Sequence, residues 1–384
     1  MLVRKTSLLI AFLLPLSLCA QNAPKPDTSA PAAPSANIPD DAGPQTDSGS
    51  IIIRKKKETP EPVPPAPEQP KVKNPNGETY SLRVDVPIVN LDVNVILDKT
   101  HQFVPGLKPA NFLVLEDGQE QQVQSVRITQ TPITAVMLLE FAANSYAYIY
   151  DMQNASASFY HSLKPEDYVA VITYDLRTHI LTDFTNNKDV LANSLRSLTI
   201  PGFSETDLFD ALYETLDRVT RIDGRKYIVL IGSGRDTFSR INLDKILAKV
   251  KATPNVTIFS IATGALATEL ADARGGLGPI NRMDILQAQN QLQTFSRMTG
   301  GLYFNPMFQG ALPDVFRQIN DSIRNQYVLT YRPSNTKNDG TYRHIKVLLV
   351  DNEGKPLRMQ DEKQKPLKYS IIARDGYKAK LPVE

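Results

Sequence analysis

Val136-Met137-Leu138-Leu139-Glu140-Phe141-Ala142-Ala143-Asn144-Ser145 is the stretch on which the fold turns. An apolar run stops at one acid and opens into small and polar residues. A strand that ends in this way sets a single carboxylate and short side chains at the mouth of an α/β sheet, where the carboxyl ends of strands form the usual ligand crevice. Around this stretch the pattern alternates. Apolar strands are expected at 133–139, 168–174, 226–231 and 256–261, with amphipathic stretches at 146–163, 207–219 and 243–250 between them. Further helices are expected at 284–298 and 312–324. Strands alternating with helices of this length predict a mostly parallel sheet with helices on both faces.

On either side of that region the signal is β alone. Upstream, Val89, Leu91, Val93, Val95 and Leu97 alternate with Asn90, Asp92 and Asn94, the period-2 signature of a half-buried strand. The run from Phe112 to Leu115, the turn Asp117-Gly118 and a second run over 122–128 read as a hairpin. Downstream of Asn325, strands are expected at 327–331, 344–350 and 369–373, with Asn338-Asp339-Gly340 marking the first turn. Two or three strands with one apolar face need a partner to bury it. Residues 79–131 and 326–378 are therefore expected to meet in one β-sandwich, with an α/β domain at 132–325 inserted within its sequence.

The bulk composition, 41% hydrophobic and 22% charged over 384 residues, suits one or two globular domains plus a tail. A formal net charge of +2, with no basic stripe interleaved with aromatics, argues against a nucleic-acid partner. Residues 1–20 read as a signal peptide: Arg4 and Lys5 form the charged start, 8–18 the apolar stretch and Leu18-Cys19-Ala20 the cleavage site. As a membrane span that run is short, and Pro15 interrupts it. The expected destination is the periplasm, the cell envelope or the exterior. Cleavage after Ala20 leaves a chain without its single cysteine, hence without disulfides or a thiolate metal site. Leu16-Ser17-Leu18-Cys19 also resembles a bacterial lipobox, which would make Cys19 a lipid anchor, although Leu18 departs from the small residue usual there. Residues 21–78 hold 13 of the 28 prolines and cannot bury enough apolar surface to offset their ordering entropy, so a disordered linker is expected. Within it Arg54-Lys55-Lys56-Lys57 reads as a solvated part of a tether or as a contact to anionic lipid or cell wall.

Gly106-Leu107-Lys108-Pro109-Ala110-Asn111-Phe112, Leu115-Glu116-Asp117-Gly118, Gln326-Tyr327-Val328-Leu329-Thr330-Tyr331-Arg332-Pro333 and Arg374-Asp375-Gly376-Tyr377 stand in this order around the α/β core. From about residue 80 to residue 378 the arrangement resembles the exported von Willebrand A-related proteins abundant in Acidobacteria. The resemblance implies a von Willebrand A-type, Rossmann-like domain in a non-enzymatic protein-interaction or adhesion role. It also implies a metal-ion-dependent adhesion site built from three loops. Where the family's first loop reads Asp-x-Ser-x-Ser, this chain has Glu140, Ala142 and Asn144, then Ser145. Thr206 matches the threonine of the second loop, ahead of a helix opening Asp207-Leu208-Phe209-Asp210. Ser233 stands where the third loop carries an acid.

Hard divalent cations take several oxygen ligands, and carboxylate charge largely sets their affinity. Glu140 keeps the charge one methylene further out, Asn144 offers an amide oxygen, Ala142 offers nothing and Ser233 loses a negative charge. Asp207, Asp210 and Asp236 are either compensating acids or solvated and capping residues. The expectation is a degenerate site with no cofactor. Its loops, carrying Glu140, Ala142, Asn144, Ser145, Thr206, Asp207, Ser233 and Asp236, would face a protein partner in the envelope or exterior. The alternative is a metal-dependent adhesin holding magnesium or calcium through Glu140, Asn144 and Thr206.

Three other readings compete. Ser233 follows a buried-type strand, as a hydrolase nucleophile would, but Ile231 and Arg235 fill the outer positions of the Gly-x-Ser-x-Gly motif. None of His101, His161, His179 and His344 falls in a late loop after a sheet strand, where the base belongs. Arg274-Gly275-Gly276-Leu277-Gly278 lacks the Lys-Ser/Thr of a phosphate loop and reads as a flexible connection. Tyr146 and Tyr150 share a helix face by their spacing, suited to a partner surface or to packing on the sheet, while Tyr148 points elsewhere.

Overall fold

The computed structural model describes residues 71–73, 79–81, 87–128, 132–142, 159–160, 163–198 and 202–381. The expected signal peptide with Cys19, most of the linker, Asn144, Ser145, Tyr146, Tyr148, Tyr150 and His161 lie outside the described residues. Within the span expected as disordered linker, β1 (Lys71–Lys73) forms a two-stranded sheet with β2 (Thr79–Ser81). The Lys-Val-Lys alternation there suits such a pairing. Ser81–Glu384 is one compact unit.

Four strands lead into the α/β region: β3 (Val89–Leu97), β4 (Phe112–Glu116), β5 (Gln119–Gln121) and β6 (Val123–Ile128). The Asp117-Gly118 turn is real, with φ of 47° and 83° at its two central residues, as a two-residue hairpin requires. The expected hairpin needs a correction, however. The strand that returns from this turn is β5, whose Gln119 pairs with Glu116, whereas β6 crosses to the opposite sheet and pairs with β13 (Tyr327–Tyr331). Buried Gln121 makes the corner: its amide nitrogen donates to Ser334 Oγ at 2.9 Å, and Ser334 N–H donates to its amide oxygen at 2.8 Å. A register shift at Thr330/Tyr331 accommodates the bend on the facing strand.

The α/β region follows in chain order. It comprises β7 (Thr134–Glu140), β8 (Tyr168–Tyr174), β9 (Thr178–Thr185), α1 (Lys188–Arg196), α2 (Leu208–Thr220), β10 (Lys226–Gly232), α3 (Leu243–Ala252), β11 (Val256–Ala262), α4 (Ala265–Ala273), α5 (Pro279–Thr299), β12 (Tyr303–Phe304) and α6 (Leu312–Arg324). The six strands lie in the order β12-β11-β10-β7-β8-β9, all parallel except the antiparallel edge strand β9. Alternation along β7 explains the two layers of helices. Ala135, Met137 and Leu139 enter a core with α1 and α6, while Val136 and Leu138 enter a second with α2, α3 and α5. All seven residues of β10 are buried, as a central parallel strand covered on both faces demands. β9, α1, α4 and the two-residue β12 were not anticipated. β9 is polar at five of its eight positions and has no buried residue, since its faces are only partly covered, and α1 is capped at its start by Asn187, whose side chain accepts from Asp189 and Val190 N–H.

After α6 come β13, β14 (Tyr342–Leu349), β15 (Met359–Gln360), β16 (Pro366–Leu367), β17 (Tyr369–Ala373) and β18 (Gly376–Lys378), of which β15 and β16 pair only with each other. The rest interleave with the N-terminal strands in two four-stranded sheets, β17-β3-β13-β6 and β18-β14-β4-β5. One core joins the sheets face to face, with Leu91 and Val93 of β3 and Leu329 of β13 against Val114 of β4 and Leu349 of β14. The chain ends thus build one sandwich, and the α/β region is inserted between β6 and β13. Asp167, fully buried, holds the insertion at its base: it accepts from Ile133 N–H at 2.8 Å and Lys164 N–H at 2.7 Å and pairs with Arg324 at 2.5 Å. Among the described residues no helix is long and apolar enough to cross a membrane.

Candidate functional site

The strand order makes β7 and β10 the neighbours at which the connections diverge to opposite sides of the sheet. The crevice beyond the carboxyl ends of such a pair is where open α/β sheets bind ligands. Glu140 closes β7 and Ser233 follows β10, so the two meet across this point. They meet through hydrogen bonds. Ser233 N–H donates to Glu140 Oε2 at 2.6 Å and Ser233 Oγ–H donates to the same oxygen at 2.8 Å. Tyr174, at the end of β8, approaches it with its hydroxyl at 3.5 Å. Glu140 is fully buried. Burial, with the Glu140 carboxylate and the neighbouring Asp207 and Asp236, holds the Tyr174 phenol well above the usual tyrosine range. Gly232 leaves room for this cluster, since a Cβ there would lie 2.6 Å from both Glu140 Oε2 and the Tyr174 hydroxyl.

The second loop is spent in the same way. Thr206 is buried, and its hydroxyl donates to the Arg235 carbonyl at 2.9 Å. Its backbone N–H donates to Thr237 Oγ1, and its carbonyl accepts from Thr237 and Phe238 N–H. Asp207, the residue before α2, makes no capping bond. Instead Asp236 Oδ1 accepts from Phe209 N–H at 3.0 Å and Ser239 Oγ accepts from Asp210 N–H at 3.0 Å. The loop after β10 therefore satisfies the first-turn donors of α2 from outside the helix. Asp210 in turn holds the same loop, accepting from Arg240 N–H and Nε and from Ile241 N–H. Burial raises the proton affinity of Asp210, but these bonds outweigh it and keep the carboxyl below its ordinary range.

Asp207 fares differently. It is buried, its Oδ1 has no hydrogen-bond partner among the described residues, and burial with Asp210, Asp175 and Asp236 nearby pushes its pKa up to about 7. Asp236 is also raised by burial, though the Ser239 and Phe209 donors oppose the change.

At the place expected for a divalent cation, the described oxygen groups are engaged within the protein. The Glu140 carboxylate is engaged by Ser233, the Thr206 hydroxyl by a carbonyl, and Ala142 is buried with nothing to coordinate. Among the described residues no three His, Cys, Asp or Glu side chains converge to hold a metal. Ser233 has no histidine among its hydrogen-bond partners, and the exposed His344 lies in β14 of the sandwich.

Sequence reasoning missed two groups of residues here. One is the packing set of Tyr174, Gly232, Ser239 and Arg240. Only Tyr174-Asp175, another strand running into an acid, carried a visible signal. The other is a set of exposed apolar side chains at the same end of the sheet. Phe203 precedes Thr206, and Phe238, 63% exposed, lies in the loop after β10. Leu270 of α4 and Ile280 and Met283 at the start of α5 follow β11, and Phe308 follows β12. Four of the eight candidate site residues, Glu140, Ala142, Thr206 and Asp207, are buried.

No family model matches the sequence, and no curated protein matches it. Solved structures similar to it include a von Willebrand factor type A protein from Catenulispora acidiphila, with 9% identity over 76% of this chain and 75% of the other at a TM-score of 0.40. The vWF domain of the type V pili tip protein Mfa5 from Porphyromonas gingivalis has 13% identity over 51% of this chain and 98% of its own, with a TM-score of 0.38. Proximal thread matrix protein 1 from the mussel byssus has 11% identity over 52% of this chain with a TM-score of 0.39, and the chain spans 49% of that protein's length.

Proposed function

We propose that this chain is a non-enzymatic protein-interaction module of the cell envelope or exterior. In this reading it binds a protein partner through the loops at the carboxyl end of the α/β sheet, without metal, on a frame built by the sandwich of both chain ends. The observation that carries it is the set of exposed apolar side chains on the segments around that end: Phe203, Phe238, Ile280, Met283 and Phe308. An apolar patch rimmed by polar residues is a usual mark of a protein-interaction surface, and this reading takes the five side chains as one such patch. The internal bonding of Glu140 to Ser233 supports the absence of a metal from the contact, because the acid that would anchor a cation instead joins β7 to the loop after β10. Export rests on the signal-type N-terminus.

Site-specific photocrosslinking in the native cell tests the reading. A crosslinking residue at Phe238 or Phe203 should give a discrete adduct with another protein, and one at exposed Lys346 on the sandwich should not. Phe203→Asp with Phe238→Asp should abolish an adduct formed from position 308. Failure of every position at this end to crosslink would overturn the proposal. The competing metal-dependent adhesin has the orphaned Asp207 Oδ1 and its acidic neighbours on its side. Melting with chelator against added magnesium separates the two, because a ligand that binds only the folded state raises the melting temperature.

A further inference from the structure

At the other end of the sheet, a groove of about 540 Å³ lies where the α/β region meets the sandwich. The C-terminal ends of α3 and α5 and the start of β11 form one wall, and β14, β18 and residues 335–338 form the other. Six cationic side chains line it, namely Lys251, Lys337, Arg343, Arg374, Lys378 and Lys380, and no lining residue is an acid.

Two of the six are already occupied. Arg343 binds both carboxylate oxygens of Asp339 at 3.1 Å, and Lys251 lies over the Tyr342 ring at 5.3 Å. The other four form no ion pair with a described residue. Arg374 is the telling one. It is partly buried, and desolvation holds its guanidinium below the usual arginine range. Asp92, the acid nearest in effect, is bound to Arg225 at 2.7 Å. An incoming carboxylate would supply the counter-charge that this cation lacks.

The depth of the groove is apolar, with Val250, Val256, Met298 and Pro333 buried along it. β18 ends its sheet, pairing with β14 alone, and its whole length lines the groove. An edge strand offers unpaired backbone groups to an extended chain, and alternate side chains of such a chain point to opposite sides. We propose that this groove binds an extended, acidic segment of a partner protein in which carboxylates alternate with apolar residues. The apolar side chains meet the floor, the carboxylates meet Arg374 and the lysines, and the main chain runs beside β18. The volume and apolar floor exceed what a lone phosphate would use, and a concave site suits a peptide better than a flat lipid surface.

Fluorescence anisotropy on the full chain tests this with a fluorescein-labelled octapeptide of alternating Val and Glu, beside the same peptide with Lys in place of Glu. Inorganic phosphate as competitor and phosphatidylglycerol vesicles complete the set. The acidic peptide should bind, lose affinity as salt rises, and bind about tenfold more weakly to Lys251→Gln/Lys337→Gln/Lys378→Gln, whose three sites are all exposed. Phe238→Asp at the opposite end should leave this affinity unchanged, so the groove and the carboxyl-end surface fail or stand separately. Equal binding of the lysine peptide, full displacement by phosphate, or retained affinity in the triple variant would each overturn the proposal. Vesicle binding that the triple variant loses, without peptide binding, would make the groove a membrane contact. Self-association of the triple variant with no peptide binding in the parent would make the lysines edge guards only.

Discussion

Asp207 places a measurable pH dependence in the stability of this protein. Its folded-state pKa of about 7 stands well above the ordinary 3.8, because burial disfavours the charge and Asp210, Asp175 and Asp236 add like-charge repulsion. A carboxyl that binds its proton more tightly when folded favours the folded state fully below the unfolded pKa. That contribution is lost as pH rises toward about 7, above which the folded protein carries an ionised Asp207 in a poor environment. Asp207→Asn is neutral throughout. At about 1.4 kcal/mol for each tenfold change in proton affinity, the interval amounts to at most about 4 kcal/mol. Relaxation of the surrounding loops and partial hydration reduce it, and we expect roughly 2 kcal/mol. Urea unfolding of both proteins at fixed ionic strength, between about pH 5 and pH 9, reads the difference directly. The variant should gain stability relative to the parent as pH rises and level off above about pH 7, with a melting temperature about 4 °C higher there. A difference that stays flat with pH, or that grows toward acid, would refute the reasoning.

Gly232→Ala should cost about 2–3 kcal/mol in urea unfolding, since the new methyl would meet the Glu140 carboxylate and the Tyr174 hydroxyl at 2.6 Å; a neutral result would mean that this cluster is loose. Ser233→Ala keeps the N–H donor and loses the hydroxyl, so a loss of about 1 kcal/mol is expected, and magnesium should not restore it. Isothermal titration should find no saturable magnesium binding by the natural protein, whereas Glu140→Asp with Ala142→Ser, Asn144→Ser and Ser233→Asp should create it. Tight binding by the natural protein would favour the metal-dependent adhesin instead. A chain ending at Arg324 loses β13, β14, β17 and β18 and uncovers Leu91, Val93 and Val114, so it should aggregate; a soluble monomer as stable as the full chain would contradict the shared core of the sandwich.

Several elements were legible because their signal is local. The strands at 168–174, 327–331 and 369–373 and the helix at 312–324 have the bounds that their apolar periodicity predicts. The last of these also has the sharpest division between a buried face, with Val315, Phe316 and Ile319, and a polar one. Edge and short elements were not legible. β9 alternates weakly because neither of its faces is fully buried, and β12 has two residues, too few for any period. The Asp117-Gly118 turn was readable from its residue types, but not the departure of the chain to the other sheet at Gln122, which depends on Gln121 meeting Ser334 from a distant part of the chain.

The candidate site divides in the same way. Sequence alone determined that a strand ends at Glu140, that Thr206 precedes a helix and that Ser233 follows an apolar strand. These are statements about residue type and spacing. Tertiary structure decided what the residues do. The extra methylene of Glu140 matters only because the strand order sets β10 beside β7 and brings Ser233, 93 residues away, within bonding distance of the carboxylate. Asp236 caps α2 only because the same order draws the loop after β10 over the helix N-terminus. Which apolar side chains remain in water was likewise settled by packing. Phe238 and Phe295 are chemically alike, and the neighbours that enclose the one and not the other come from segments far apart in the chain.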